Sequence, residues 1–247
     1  MKPLQSKIAL VTGSSQGLGK AVAIALATSG AKVIVNYHPS QEQAAKDVVA
    51  HIHKEGGHAV LFPADVTSLE QLRLMYAFVQ STYGHLDVLI NNAGVMSNGP
   101  LESVTETDFD RHFSVNVKGT YFNIQQAVPL MKPGSRIINF SSSVTGQMYA
   151  NYSVYAATKG AIDQLTRHLA KELGPKGISI NAIAPGPSNT DMFVVGRTEA
   201  QLASTKANIA AGRLGEPSDV ASLILMLLTE PTGWIQGQTI KANGGFI

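Results

Sequence analysis

Tyr155 and Lys159 stand four residues apart in the segment NYSVYAATKGAIDQLTRHLAKEL. On a helix that spacing is about one turn, so both side chains leave the same face. A phenol is a weak acid, with an unperturbed pKa of about 10. A neighbouring ammonium favours the phenolate and makes the phenol a better proton donor. The pair is therefore suited to protonate a carbonyl oxygen as the carbon is reduced. Taken alone, Y-x-x-x-K also describes two residues on a solvated helix face. It gains weight from a second feature, near the N-terminus.

That feature is KIALVTGSSQGLGKAVAIALATSGAKVIVNYHP. Ile8 to Val11 is an apolar run with the length of a buried strand. Gly13, Gly17 and Gly19 follow, then a helical stripe through Ala21, Ile24, Ala25 and Ala27, a stop at Gly30, and a second strand from Lys32 to Asn36. Glycine lets a backbone turn tightly and approach a phosphate, and a helix N-terminus offers free N–H groups. The spacing is G-x-x-x-G-x-G rather than G-x-G-x-x-G, but the strand–turn–helix–strand setting supports a nucleotide site over a plain loop.

The elements that must position these groups follow from the rest of the chain. Helical stripes cover Gln41 to Glu55, Leu69 to Tyr83, Glu106 to Met131 (in one piece or two), Tyr152 to Leu173 and Pro217 to Leu228, the last with proline in its first turn. Short strands are expected at Ala59 to Pro63, Asp87 to Asn91, Arg136 to Ser141, Ile178 to Ala184 and Gln238 to Ala242. Strands alternating with helices predict an α/β fold, a Rossmann-type doubly wound parallel sheet of about seven strands with helices on both faces. Ligands in such sheets sit beyond the C-terminal strand ends. Thr12, Asn36, Asp65, Asn91, Ser142 and Pro185 would gather there.

Composition narrows the classes. The 247 residues fit one domain, 1–247, with 44% hydrophobic and 15% charged residues, which excludes a disordered or fibrous chain. Nineteen basic against 17 acidic residues give a net charge of +2, without the basic stripe of a nucleic-acid or membrane-surface binder. There is no cysteine, hence no disulfide framework or thiolate chemistry. No apolar run approaches the ~20 residues that span a bilayer. A soluble, cytoplasmic protein is expected.

The motifs TGSSQGLG at 12–19, Asp65-Val66, NNAG at 91–94, Asn116 in NVKG, the serines after IINF, YAATK at 155–159 and NAIAPG at 181–186 resemble the short-chain dehydrogenase/reductase family. The likeness covers nearly the whole chain, with the motifs in family order. Within the family it is most similar to the NADPH-dependent 3-oxoacyl-(acyl-carrier-protein) reductases. The resemblance implies Tyr155 as catalytic acid, Lys159 lowering its pKa and holding the nicotinamide ribose, and Asn116 holding a water that links Lys159 to solvent. It also implies a serine on the substrate carbonyl. Ser141, Ser142 and Ser143 are consecutive; Ser142, thirteen residues before Tyr155 and in register after the strand, is preferred to Ser143, which matches an S-x-x-G through Gly146.

For the cofactor the resemblance implies Gly13, Ser14, Ser15, Gln16, Gly17, Leu18 and Gly19 in the phosphate turn and Asp65 and Val66 at the adenine. Asn91 and Gly94 would lie at the adenine ribose and Thr190 at the nicotinamide amide. Asn92, Ala93, Pro185, Gly186 and Ser188 complete the set. An acid at the end of the second strand would repel the extra phosphate of NADP. Asn36, Tyr37 and His38 stand there instead, which favours NADPH/NADP over NAD, although Gln16 replaces the arginine of many NADP-preferring relatives. As an alternative to a cofactor contact, Asp65 would cap the helix starting near Ser68.

Substrate walls are expected from Val95 to Leu101, Val144 to Tyr152 and a lid at about 187–213, made apolar by Met96, Met148, Tyr149, Met192 and Phe193. The expected partner is a small-molecule carbonyl substrate: a ketone, an aldehyde or a 3-oxoacyl thioester. The alternatives are an NAD-dependent alcohol or sugar dehydrogenase and a non-catalytic nucleotide sensor on the same fold. No metal is expected, because His51 and His53 in HIHKEGGH sit two apart and cannot both face one ion. Trp234 and the ending KANGGFI are expected at a subunit contact of a homo-oligomer, a dimer or tetramer.

Overall fold

The computed structural model describes residues 2–229 and 233–247. Seven strands, β1 (Ile8–Val11), β2 (Lys32–Tyr37), β3 (His58–Pro63), β4 (Leu86–Asn91), β5 (Met131–Phe140), β6 (Ser179–Pro185) and β7 (Thr239–Ala242), form one sheet. Their order is β3-β2-β1-β4-β5-β6-β7 and every pairing is parallel. The order reverses at β1, so the C-terminal ends of β1 and β4 open a crevice between outgoing turns.

Both faces of the sheet are buried, which is why its strands read as apolar runs rather than alternating ones. Ala9, Val11, Val33 and Val35 face a layer made by α1 (Gly17–Thr28), α2 (Glu42–Lys54) and α9 (Pro217–Thr229), with Val22, Leu26, Val48, Ile52 and Ile224 at its centre. Ile8, Leu10, Ile34 and Leu89 face the other layer, where α3 (Leu69–Tyr83), α5 (Thr120–Ala127) and α6 (Ser153–Leu173) contribute Leu72, Met75, Ile124 and Leu173. Each such fully buried Leu or Ile stabilises the fold by about 1.5–3 kcal/mol.

Beneath the crevice a chain of buried polar side chains crosses the sheet. Tyr76 donates to Asn123 at 2.8 Å, Asn123 to Asn91 at 2.6 Å, Asn91 to Asn139 at 2.9 Å and Asn139 to Thr166 at 2.9 Å. Each amide uses both ends, so the network is satisfied without water. It locks β4 to β5 and both strands to α5 and α6.

The expected long helix at Glu106 to Met131 is not continuous. It runs as α4 (Glu106–Phe113), a π-helical stretch over Ser114–Gly119, α5, and a 3₁₀ turn over Val128–Leu130. Pro129 accounts for the end, because a proline lacks the N–H and crowds the carbonyl four residues back. Met131 therefore opens β5 instead of closing a helix, and Ser141 lies just past that strand. Two short helices, α7 (Asp191–Val194) and α8 (Glu199–Ala207), fold the segment between β6 and α9. Among the described residues no helix is long and apolar enough to cross a membrane.

Candidate active site

The turn after β1 is shaped by two glycines that accept no side chain. Gly13 has φ +60°, and a Cβ on it would stand 2.9 Å from Cα of Ala93. A Cβ on Gly19 would collide with the Asn92 amide and the Gly13 carbonyl. Asn92 is the reason for the crowding: its Nδ2 donates to the carbonyls of Thr12 and Gly13, both at 2.9 Å. The Thr12 hydroxyl in turn accepts the N–H groups of Asn92 and Ala93 at 3.1 Å. The turns after β1 and β4 are thus bolted together. Helix α1 has no side-chain cap and no acid in its first turn, so its first amides and positive dipole end face the crevice. That chemistry fits the pyrophosphate of a dinucleotide.

The crevice is a single cleft of about 890 Å³. Its lining includes Gly13, Ser15, Gln16, Gly17 and Leu18 of the glycine turn, Asn36 and His38, Asp65 and Val66, and Asn92, Ala93 and Gly94. Ser142, Tyr155 and Lys159 lie farther along it, with Pro185, Gly186, Ser188 and Thr190 closing that side. Five expected residues are placed behind the wall. Ser14 is fully buried, its hydroxyl donating to the carbonyls of Val11 and Asn36. Gly19 packs on Asn92. Asn91 belongs to the polar network beneath. Tyr37 points into the core beside α2, because strand alternation turns it away from the ligand face. Asn116 is buried beside Gly94.

At the end of β2 the side chain of Asn36 is committed to the fold: Nδ2 donates to the carbonyls of Phe62 and Ala64, and Oδ1 accepts from the Gly13 N–H at 3.4 Å. The groups that face the cleft come next. His38 Nδ1 lies 2.7 Å from the Ser40 hydroxyl, and Ser40 and Gln41 also line the wall. These last two were missed in the sequence because they belong to a 3₁₀ turn, Pro39–Gln41, that continues the strand into the cleft. Asp65 faces His38 across 3.9 Å and accepts the Thr67 N–H at 2.9 Å, whereas Ser68 caps α3 by accepting from Gln71. The cleft wall and the helix cap are therefore different residues.

Tyr155 and Lys159 do share one face of α6, with the ammonium 5.7 Å from the phenol ring centre. The expected acidification of Tyr155 by Lys159 is not what dominates. Burial pushes the phenol up to about 12; the nearby Ser142 hydroxyl works the other way, and Tyr152 adds to the rise. Burial also lowers Lys159, to about 8, against the pull of Asp163. Its Nζ donates to the carbonyl of Phe140 at 2.7 Å, tying α6 to the end of β5. The serines separate clearly. Ser142 lines the cleft with Tyr155 and its hydroxyl oxygen accepts the Val144 N–H at 3.3 Å, whereas the Ser143 hydroxyl donates to the Ala184 carbonyl and accepts from Asn243. The Ser141 hydroxyl is buried with no partner among the described residues.

The π-helical stretch turns Asn116 inward. Its Oδ1 accepts from the Val95 N–H at 2.8 Å, and its Nδ2 donates to the Val95 carbonyl and the Thr158 hydroxyl. Both amide hydrogens are used, so the side chain clamps the chain leaving β4 against α6. A Cβ on Gly94 would lie 3.3 Å from Asn116 Oδ1 and 3.8 Å from Lys159 Nζ, which places both polar groups close to the Cβ face of that glycine.

A family model described as enoyl-(acyl carrier protein) reductase matches residues 13–247. The chain is 39% identical to versicolorin reductase 1 of Aspergillus parasiticus over 98% of its own length and 97% of the relative's. A short-chain dehydrogenase from Burkholderia cenocepacia, solved in complex with NADP, superposes with a TM-score of 0.93 at 35% identity, each chain covered to 99%. The angucycline C-6 ketoreductase LanV with bound NADP gives 0.92 at 34% identity, covering 99% of this chain and 96% of LanV. The chain belongs to the short-chain dehydrogenase/reductase family. It is an oxidoreductase acting between CH–OH and C=O groups, with a nicotinamide dinucleotide as its redox partner.

In this short-chain dehydrogenase/reductase the part of the cleft around Tyr155 is walled by aromatic rings. Phe246 and Tyr149 lie nearly parallel at 6.1 Å, Tyr149 meets Tyr152 at 5.7 Å, and Tyr152 stands edge-on to Tyr155 at 6.5 Å. Met96, Met192 and Phe193 line the same cleft. Met148, expected in this wall, points wholly into solvent. Phe246 was not legible as a site residue: nothing local marks it, and only the return of the chain past β7 brings it to Tyr149.

Proposed function

We propose that the protein is an NADPH-dependent carbonyl reductase whose substrate is a ketone with a flat, apolar body. The observation that carries this reading is one cleft lined by Ser142, Tyr155 and Lys159 as well as by the glycine turn, with the Lys159 ammonium 5.7 Å from the Tyr155 ring centre. When bound, the dihydronicotinamide supplies a hydride to the carbonyl carbon. Tyr155, protonated across the working pH range, gives its proton to the carbonyl oxygen, and Ser142 holds that oxygen by a hydrogen bond. Lys159, while charged, stabilises the phenolate left behind. Asn116 is a positioning residue that holds Val95 and Thr158 around this group, with the second lone pair of its Oδ1 left for a relay water.

The preference for NADPH rests on the wall after β2. His38, Ser40 and Gln41 line the cleft with hydrogen-bonding groups and that segment carries no carboxylate, the nearest being Asp65 after β3, 3.9 Å from His38; Ser15 and Gln16 line the same cleft. The ketone preference rests on the ring series from Phe246 to Tyr155, and on relatives named versicolorin reductase and C-6 ketoreductase. Such a wall suits a fused or substituted ring better than the extended chain of a 3-oxoacyl thioester. Residues 187–213 would act as the lid, and exposed Trp234 and Met226 would be covered in a homo-oligomer of a cytoplasmic enzyme. The test is consumption of NADPH and NADH across aryl ketones, diketones, aldehydes and 3-oxoacyl thioesters. NADPH with aryl ketones should rank first. Turnover confined to NAD with alcohols or sugars would replace this reading with an oxidative dehydrogenase.

A further inference from the structure

Arg197 is a cation of the cleft wall that is held in place by neutral groups. It lies between α7 and α8, just after Gly196, whose φ of +82° bends the chain back. Its Nε donates to the carbonyl of Phe193 at 2.7 Å, and the guanidinium stacks on the Phe193 ring at 4.2 Å. Its Nη2 donates to the Tyr152 hydroxyl at 2.8 Å. A guanidinium carries five N–H donors, so three remain. Among the described residues neither Arg197 nor Asp191, the acid on the same stretch of wall, takes part in an ion pair. The contrast is Arg213, in the same connecting segment, whose charge is consumed by Asp219 at 2.7 Å.

A stacked, half-buried guanidinium with spare donors beside a reaction cleft is arranged for a carboxylate or other ionised oxygen, which it meets as a fork. Tyr152 fixes where that oxygen would be. It is hydrogen-bonded to Arg197 on one side and edge-on to Tyr155 on the other, so the cation is one aromatic ring away from the proton donor. The geometry points to Arg197 as a specificity-determining residue that selects ketones carrying an anionic oxygen at the end of the molecule remote from the reacting carbonyl. This deepens the carbonyl-reductase reading and rests on it. The anion is defined by its chemistry alone: a carboxylate and an ionised phenol would both satisfy the fork.

The experiment compares matched ketones that differ only in charge: 4-acetylbenzoate against its methyl ester, and a 3-oxo acid against its ester. Each is measured for turnover with NADPH and, by calorimetry, for binding to the NADP complex. The acid should be preferred by roughly tenfold or more, chiefly through KM and binding, as for a hydrogen bond to a charged group. Arg197→Gln should bring the acid-to-ester ratio close to one, Arg197→Lys should keep part of it, and rising salt should reduce it in the wild type. Arg111→Gln, which removes another cation of the cleft wall, should leave the ratio in place. No preference in the wild type, a preference that survives Arg197→Gln, or one that is lost with Arg111 would overturn the proposal. Binding preference without turnover of any ketone would count against the reductase reading and leave the assignment of Arg197 standing.

Discussion

The two halves of the cleft are built on different principles. In the cofactor half, short polar side chains bond to backbone and to one another: Asn92 holds the glycine turn, Asn36 ties β2 to β3 and to Gly13, and Ser14 is spent on Val11 and Asn36. The ligand is left to meet mainly backbone amides. In the substrate half, large side chains from distant segments meet across the cleft: Tyr149 and Tyr152 before α6, Arg197 between α7 and α8, Phe246 beyond β7. The difference teaches where variation can occur. A backbone cradle tolerates change in the residues around it only if its glycines and braces stay, whereas a wall of side chains can be rewritten one residue at a time.

The sharpest way to test this division is to damage each half alone. Tyr155→Phe should lower kcat by about 10²–10⁴-fold while calorimetry shows NADPH binding nearly unchanged. Gly19→Ala should do the reverse, because its Cβ lands on Asn92 and the Gly13 carbonyl: cofactor affinity is lost while the catalytic side chains stay in place. Retained turnover in the first variant would sink the acid role. Unchanged affinity in the second would show that the cradle is less rigid than its packing implies.

A smaller effect separates residues that face the ligand from those that face the core. Ser40→Asp should reduce the NADP-to-NAD ratio of kcat/KM by roughly tenfold or more, by placing a carboxylate where the 2′-phosphate is expected. Tyr37→Asp, one position past Asn36, should instead lower the melting temperature, since it buries a charge among apolar side chains. A clean cofactor switch at Tyr37 would contradict its placement.

The smallest effect is in the pH profile. With Lys159 lowered to about 8 it carries its charge below that pH and loses it above, while Tyr155 at about 12 stays protonated throughout. Ketone reduction should therefore hold level in the acid and neutral range and decline as pH rises through about 8. A rate that climbs steadily to pH 10 would mean that the ammonium is not needed.

Much of the fold was legible because its signals are local. Apolar runs bounded by glycine mark β1, β2 and β4, and the stripe through Leu72, Met75 and Val79 marks α3. Two pieces between Glu106 and Met131 were allowed for, but the place of the break at Ser114–Gly119 was not legible, since a π-helical stretch has no periodicity of its own and depends on the clamp from Asn116 to Val95 and Thr158. The start of β5 at Met131 was misread for a related reason: Pro129 ends the helix, yet apolar residues on both sides continue the stripe.

By itself the sequence determined the class of chemistry. Tyr155 and Lys159 are one helical turn apart and the glycine turn must follow a strand, so local geometry alone brings an acid and a nucleotide site into one protein. The tertiary structure decided the assignments that depend on direction. It tied the Ser143 hydroxyl to Ala184 and Asn243 while leaving Ser142 on the cleft wall, turned Tyr37 inward and Ser40 outward, and carried Phe246 and Arg197 to the same cleft. It also showed that burial, more than the neighbouring ammonium, governs Tyr155. Those outcomes depend on which way a side chain points and on how much protein surrounds it, and both are fixed only when segments far apart in the chain have packed together.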